Sequence, residues 1–196
     1  MRIKVKTKAA ARRNQDGTMT AAEYHCSRCA DPITTGEQYY EWAFRYGGKY
    51  RQHTMHGQPR GSQLTQSKMS EVLAAQEALE DFTVSGVLSE DTEAWECDTI
   101  LNDAKSDAQA ALDDAISEAQ SISGEYQDAI DNMPASEEQN QERIDAIEAW
   151  IGELESCDVD IDPVSGDVED MLERYQGALD EIEQAVHDVA CEFYMP

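Results

Sequence analysis

Positive charge is scarce in this chain, and it is scarce in one place. Residues 70–196 hold 3 Lys+Arg against 36 Asp+Glu, a net charge of −33. Residues 1–69 hold 12 Lys+Arg against 5 Asp+Glu, a net charge of +7, and the two stretches make up the −26 of the whole. A basic head on an acidic body points to different partners for each. Adaptation to a high-salt host would make the acidity run throughout, which the head contradicts.

Long apolar runs are missing as well. None approaches the length needed to span a bilayer, so no membrane partner is expected. The basic N-terminus MRIKVKTKAAARRN lacks the apolar core of a secretory signal, and an intracellular protein is the expectation. The five cysteines are an odd number without the spacing of a disulfide framework. Cys97, Cys157 and Cys191, far apart in acidic helical sequence, read as buried small apolar residues of a protein from a reducing compartment. No Ser-His-Asp or Cys-His nucleophile pattern and no phosphate-cradling glycine loop stands out, so a non-enzymatic protein is expected.

What is present is concentrated between Cys26 and His56. Cys26-x-x-Cys29 and His53-x-x-His56 form two closely spaced ligand pairs. Two thiolates and two imidazoles suit the tetrahedral preference of Zn²⁺, and four protein ligands leave no open position for a water nucleophile. A structural zinc is therefore expected on Cys26, Cys29, His53 and His56, with His25 a possible substitute ligand. Between the pairs, Gln38 to Tyr46 alternates as a strand, with Tyr40, Trp42, Phe44 and Tyr46 on one face. Gly47-Gly48 reads as a two-residue hairpin turn with positive φ at both positions, and Lys49 to Gln52 as the return strand. Upstream, residues 1–10 alternate as a short strand or extended basic arm, and Ala9 to Gln15 can form one helical turn.

The positive charge of the head also has a reading. Arg45, Lys49, Arg51 and Arg60, with the arm residues Lys4, Lys6, Lys8, Arg12 and Arg13, can contact phosphates of DNA or RNA. Tyr46 or Tyr39 can stack on an exposed base.

The rest reads as helix. One begins near Ser67, with Met69, Val72, Leu73, Leu79 and Phe82 as its stripe, and is interrupted at Ser85-Gly86. A long helix over roughly 90–133, capped by Ser89, carries a seam of Ala108, Leu112, Ala115, Ala119, Ile122, Tyr126, Ala129 and Met133 at alternating spacings of 4 and 3. Pro134 ends it. A third helix has Ile144, Ile147, Ile151 and Leu154 as its seam, with Trp150 beside it. The last shows Val168, Leu172, Tyr175, Leu179, Ile182, Val186, Val189 and Phe193. Brief connections between such seams imply an antiparallel helical bundle or coiled coil, whose oligomeric state the pattern leaves open. The loop Asp158-x-Asp160-x-Asp162 with Glu169 echoes an EF-hand, but Pro163 stands where the sharp turn needs glycine, against a calcium site.

The head resembles the PARP-type zinc fingers of poly(ADP-ribose) polymerases through Cys26-x-x-Cys29, Ile33 and Gly36 in the loop, and a strand pair leading to His53 and His56. That resemblance implies a treble-clef-like zinc domain and contact with DNA ends or breaks. The last ligand in that family is cysteine where this chain has His56, and Gln52-His53 replaces the usual Trp-His step. Most of the chain also resembles an uncharacterised group of phage-type proteins, through Phe44-Arg45-Tyr46-Gly47-Gly48-Lys49, Ser62-Gln63-Leu64-Thr65, Gln141-Glu142-Arg143-Ile144-Asp145 and Trp150-Ile151. This implies viral or prophage origin, hence the host cytoplasm, and carries no established activity with it.

The expectation is a mainly α protein. A zinc-bound β-hairpin domain over 1–66 precedes an acidic antiparallel helical bundle or coiled coil over 67–196. Its expected role is a zinc-binding adaptor with a basic head for nucleic acid and acidic helices for a protein partner. The alternative is an acidic interaction protein or DNA mimic whose zinc is purely structural.

Overall fold

The computed structural model describes residues 3–13, 19–20, 23–45, 47–86, 88–89, 91–133, 137–163 and 171–194, without the side chains of 12–13 and 19–20. The protein is mainly helical, with a small sheet near its N-terminus. It divides into two units, Met1–Gln66 and Ser67–Pro196.

In the first unit, β1 (Lys4–Thr7), β4 (Gln38–Ala43) and β5 (Lys49–His53) form an antiparallel sheet in the order β1-β4-β5. The basic arm is thus an edge strand. The short strands β2 (Arg12–Arg13) and β3 (Met19–Thr20) pair with each other, so these residues do not take up the helical turn expected between Ala9 and Gln15. Period-2 alternation puts both faces of β4 to use. Tyr39 packs with Cys26, Ile33 and Tyr24, while Trp42 stacks on Tyr50 across the strands and donates its indole N–H to the Gln63 carbonyl. Gln63 lies in the short helix α1 (Gly61–Leu64).

The Gly47-Gly48 turn is a correction. Ala43 pairs with Lys49, so the connection spans residues 44–48, and neither glycine has positive φ. Phe44 closes a tight turn through the Gly47 N–H at 3.4 Å, and its ring stands edge-on to Tyr50. The Trp42–Tyr50 stack sets this register, and the extra residues follow from it.

The second unit packs α2 (Met69–Glu80), α3 (Ala94–Asn132), α4 (Glu137–Ser156) and α5 (Met171–Cys191) around one core. Cross-contacts fix their directions. Lys68 pairs with Glu125 and Ser85 bonds Asp107, so α2 and α3 run antiparallel. Arg143 lies over the Tyr126 ring while Lys105 reaches Asp160 and Asp162, so α3 and α4 also run antiparallel. Gln76 reaches the Ala190 carbonyl and Val84 reaches Glu183, which opposes α5 to α2. Tyr175 donates its hydroxyl to Asp98, tying together the starts of α3 and α5; that bond pushes its pKa up to about 12.

The expected seam residues Ala108, Leu112, Ala115, Ala119, Ile122 and Tyr126 are all buried, and small alanines let neighbouring helices approach α3 closely. These seams converge on a core shared by four helices, and nothing among the described residues requires a true coiled coil. Four positions differ from expectation. Met133 is 62% exposed, because the helix ends at Asn132. Trp150, placed beside the seam, is a core residue: its N–H donates to the Val189 carbonyl at 3.0 Å and its ring meets Phe193. Cys191 is exposed and Cys157 half-buried, so of the three body cysteines only Cys97 is a fully buried apolar residue. Val168 lies outside the described residues.

The start of α3 is capped by Glu93 rather than Ser89. Glu93 and Glu96 form a reciprocal capping box, while Ser89 closes a local turn with Thr92. At Gly86, φ is +137° and an added Cβ would stand 2.7 Å from Ile100 Cγ2. Lacking bases, the acidic helices are braced instead by Gln-to-Asp bonds at i,i+4: Gln109–Asp113, Gln141–Asp145, Gln176–Asp180 and Gln184–Asp188. The EF-hand echo is answered by Lys105, whose ammonium bridges Asp160 and Asp162 at 2.7 and 2.8 Å. Glu169 lies outside the described residues. Among the described residues, no helix is long and apolar enough to cross a membrane.

Two substitutions test this core by urea unfolding. Trp150→Ala is expected to cost about 3–5 kcal/mol through its cavity and lost hydrogen bond. Gly86→Ala is expected to cost about 1–3 kcal/mol, because the backbone there disfavours any side chain. An unchanged midpoint in either variant would contradict the packing described.

Candidate metal centre

Cys26 and Cys29 sit on a tight loop that the backbone builds. The Cys26 N–H donates to the Asp31 carbonyl at 2.8 Å, the Ala30 N–H returns to the Cys26 carbonyl at 2.9 Å, and Ala30 adopts a left-handed φ of 62°. Ile33, wholly buried, anchors the loop through its N–H to Tyr24. Ser27 ties the loop to β5, donating both its N–H and its hydroxyl to the Arg51 carbonyl. The chain then leaves β5 at His53 and turns through a 3₁₀ segment, Thr54–His56, that Gly57 closes with φ of +77°. Arg28 donates to the His56 carbonyl at 3.2 Å. Through these bonds the loop and the strand end present both ligand pairs.

The ligand atoms of Cys26, Cys29 and His56 all lie within 4.8 Å of one another, a cluster that can hold a metal ion. His53 is not part of that grouping, but its ring centroid is 5.8 Å from that of His56. The Nε2 atoms of both histidines are buried and have no hydrogen-bond partner. Buried polar atoms almost always find one, and an ion is among the standard explanations when they do not. His25 is exposed, and its Nδ1 meets the Ala30 carbonyl at 3.1 Å instead.

The surroundings prepare Cys26 as a thiolate. Burial raises its pKa, but backbone N–H groups of Cys29, His53 and Arg28 aimed at the sulfur lower it further, and the lowering prevails. Arg28 N–H stands 3.4 Å from Cys26 Sγ. On the imidazole side, His53 Nδ1 is paired with Glu37 Oε1. Glu37 is itself held by the N–H and hydroxyl of Thr34 at 2.8 and 3.1 Å. This bond fixes the tautomer that leaves Nε2 free to accept a metal, the usual outer-shell arrangement of a ligating histidine.

The residues expected to touch nucleic acid are dispersed. Arg45 lies in the connection between β4 and β5, and Lys49 opens β5. Arg51, in mid-strand, gives its Nε to Glu41 Oε2 at 3.2 Å and lies 4.0 Å above the Tyr24 ring. Arg60 stands at the start of α1, and Tyr46 lies outside the described residues. Lys6 also pairs with Glu41, and Lys8 donates to the Ile33 carbonyl. Glu37 and Glu41 carry structural roles that sequence reading missed. For Glu37 the available signal was the Thr34-x-x-Glu37 spacing; Glu41 needed the strand register that sets it opposite Arg51 and beside Lys6.

No protein-family model matches the chain, and neither does any curated protein or solved structure.

Glu41 yields a pH prediction. Burial raises its carboxyl pKa, but the Lys6 hydrogen bond and the Lys6 and Arg51 charges outweigh it, so the folded value lies below the ordinary 4.5. A depressed folded pKa contributes stability that is present above the unfolded value and lost as pH falls through the folded one. Glu41→Gln is therefore expected to lower stability by about 1 kcal/mol at neutral pH. That deficit should shrink below pH 4.5, followed by hydrogen exchange of β4 and β5 amides. A deficit independent of pH would contradict the assignment.

Proposed function

We propose that Cys26, Cys29, His53 and His56 bind one structural Zn²⁺ ion, making the first unit a zinc-held interaction module with no catalytic role. The observation that carries this reading is the pair of buried, unpartnered imidazole nitrogens beside Cys29 and Cys26, the latter with backbone surroundings that favour its thiolate. A three-residue cluster alone leaves a coordination position open, whereas His53 as fourth ligand closes it, and closed Cys₂His₂ sets are structural. The ligand order matches that of PARP-type fingers except at His56. In this reading the basic head meets nucleic acid and the acidic helices meet a protein.

A second reading, an acidic DNA mimic, draws on the net −33 of residues 70–196 and on exposed acids along α3, α4 and α5. It predicts binding to a DNA-binding protein that added DNA displaces.

The metal reading is tested by elemental analysis and X-ray absorption of protein expressed in zinc-supplemented medium. The expected result is one zinc per chain with equal numbers of sulfur and nitrogen neighbours. Cobalt substitution of the wild type should give tetrahedral thiolate bands, and His53→Ala should shift them toward a site with water in the fourth position. Glu37→Gln should weaken zinc affinity by about 10–100-fold through His53 without changing the ligand count. A spectrum unaffected by His53→Ala would remove His53 from the site.

A further inference from the structure

We infer that one face of the β1-β4-β5 sheet is a groove for the phosphodiester backbone of single-stranded nucleic acid, charged by Lys4, Lys6 and Lys49 around a floor at Ala43. This deepens the nucleic-acid reading above and rests on it.

The register builds the groove. Lys4 lies opposite Glu41, and Glu41 opposite Arg51; one row further along, Ala43 lies opposite Lys49. Side chains directly opposite in antiparallel strands share a face. Lys4, Lys6, Glu41, Ala43, Lys49 and Arg51 therefore project together. The smallest of them, Ala43, sits on the central strand between longer neighbours, and a concavity of about 390 Å³ opens there, lined by Lys4, Lys6, Glu41, Trp42, Ala43 and Lys49.

The charge of this face is unbalanced in a particular way. The single carboxylate lining the groove, Glu41, is already engaged on both oxygens, by Lys6 on Oε1 and by Arg51 on Oε2. Lys4 and Lys49 are exposed, and among the described residues neither side chain makes a hydrogen bond or an ion pair. They stand on the two outer strands, two strand spacings across and one same-face row along, roughly 12 Å apart. Four cations and one occupied anion on a face invite an anionic ligand with more than one charge.

Lysine ammonium groups are compact, strongly hydrated point charges on flexible stems. They bind phosphate oxygens as point charges without demanding a fixed geometry, whereas the arginine fork pairs carboxylates and phosphates bidentately. On this face the one arginine fork is already committed to Glu41 and the Tyr24 ring. A phosphodiester strand, which carries a charge at every nucleotide, matches several ammonium groups on one face; an acidic peptide is the alternative that the test below excludes. The groove shares its face with His53 and Tyr39, so the Cys26 loop, bonded to the Arg51 carbonyl, covers the neighbouring part of the sheet.

The test uses the full-length chain with its zinc content measured. Anisotropy of a fluorescein-labelled thymidine oligomer is titrated at about 50 mM and about 200 mM salt. Binding is expected, weakening with salt. The exposed double variant Lys4→Ala/Lys49→Ala should lose about tenfold in affinity at the lower salt, and its salt slope should fall by about 1.4, for two lost contacts at about 0.7 each. Unchanged affinity and slope in a variant with native circular dichroism would overturn the groove. Displacement of the oligomer by polyglutamate at equal charge concentration would overturn it in favour of an acidic protein partner. Zinc-loaded protein that binds no oligomer would overturn the groove while leaving the metal reading intact; protein that binds the oligomer but takes up no zinc would do the reverse.

Discussion

The first unit rests on an imidazole that its own protein neighbours satisfy only on one side. His53 ends β5 opposite Tyr39, is almost wholly buried, and has Glu37 on Nδ1 and no hydrogen-bond partner on Nε2. Around it the apolar cluster is small: Cys26, Ile33 and Tyr39, with Tyr24 packed against them. A core of that size contributes little against the entropy of ordering some sixty residues, and small domains of this kind usually need a cross-link or a metal. The polar architecture follows that need. Glu37 is held by Thr34, the Cys26 loop by β5, and buried Gln52 by Gln63 and the Gly57 carbonyl. Each of these bonds places a backbone segment that carries a ligand or adjoins one.

The second unit faces the opposite difficulty, an ample core under a surface of like charges. Repulsion among 36 carboxylates disfavours the compact state, and four basic residues cannot offset it by pairing. Two described bases sit where they act between segments: Lys68 against Glu125, and Lys105 across Asp160 and Asp162. Elsewhere glutamine serves in place of lysine, donating to an aspartate one turn on and so bracing the helix without lowering its charge. The cohesion comes from the apolar stripe, above all from α3, whose alanines let the flanking helices close on it.

What the sequence made legible follows from periodicity and pairing. Heptad spacing identified the buried face of α3 almost residue by residue, because a helix exposes or buries its positions by angle alone. The Cys-x-x-Cys pair and the His-x-x-His motif pointed to the cluster of Cys26, Cys29 and His56, since ligand spacing is local. What stayed hidden depended on contacts between distant segments. Trp150 is core because α5 brings the Val189 carbonyl and Phe193 to it. Gly47-Gly48 forms no two-residue turn because the Trp42–Tyr50 stack fixes another register. Lys105 occupies the aspartate loop from 55 residues away.

The same distinction applies to the head's positive charge. A count of lysines and arginines treats every base alike, yet Glu41 divides them. Arg51 and Lys6 are spent inside the sheet on a nearly buried carboxylate, whereas Lys4 and Lys49, on the strands either side, are exposed and form no ion pair, Lys49 reaching Glu41 only through its longer-range field. Glu41 thereby does two things at once. It joins β1, β4 and β5 through side chains as well as backbone, and it removes itself as a competitor for the remaining ammonium groups. An acid in the middle of a basic face would ordinarily weaken an anion site. Here, because its own charge is already matched, it orders the face and leaves a net positive field over Ala43.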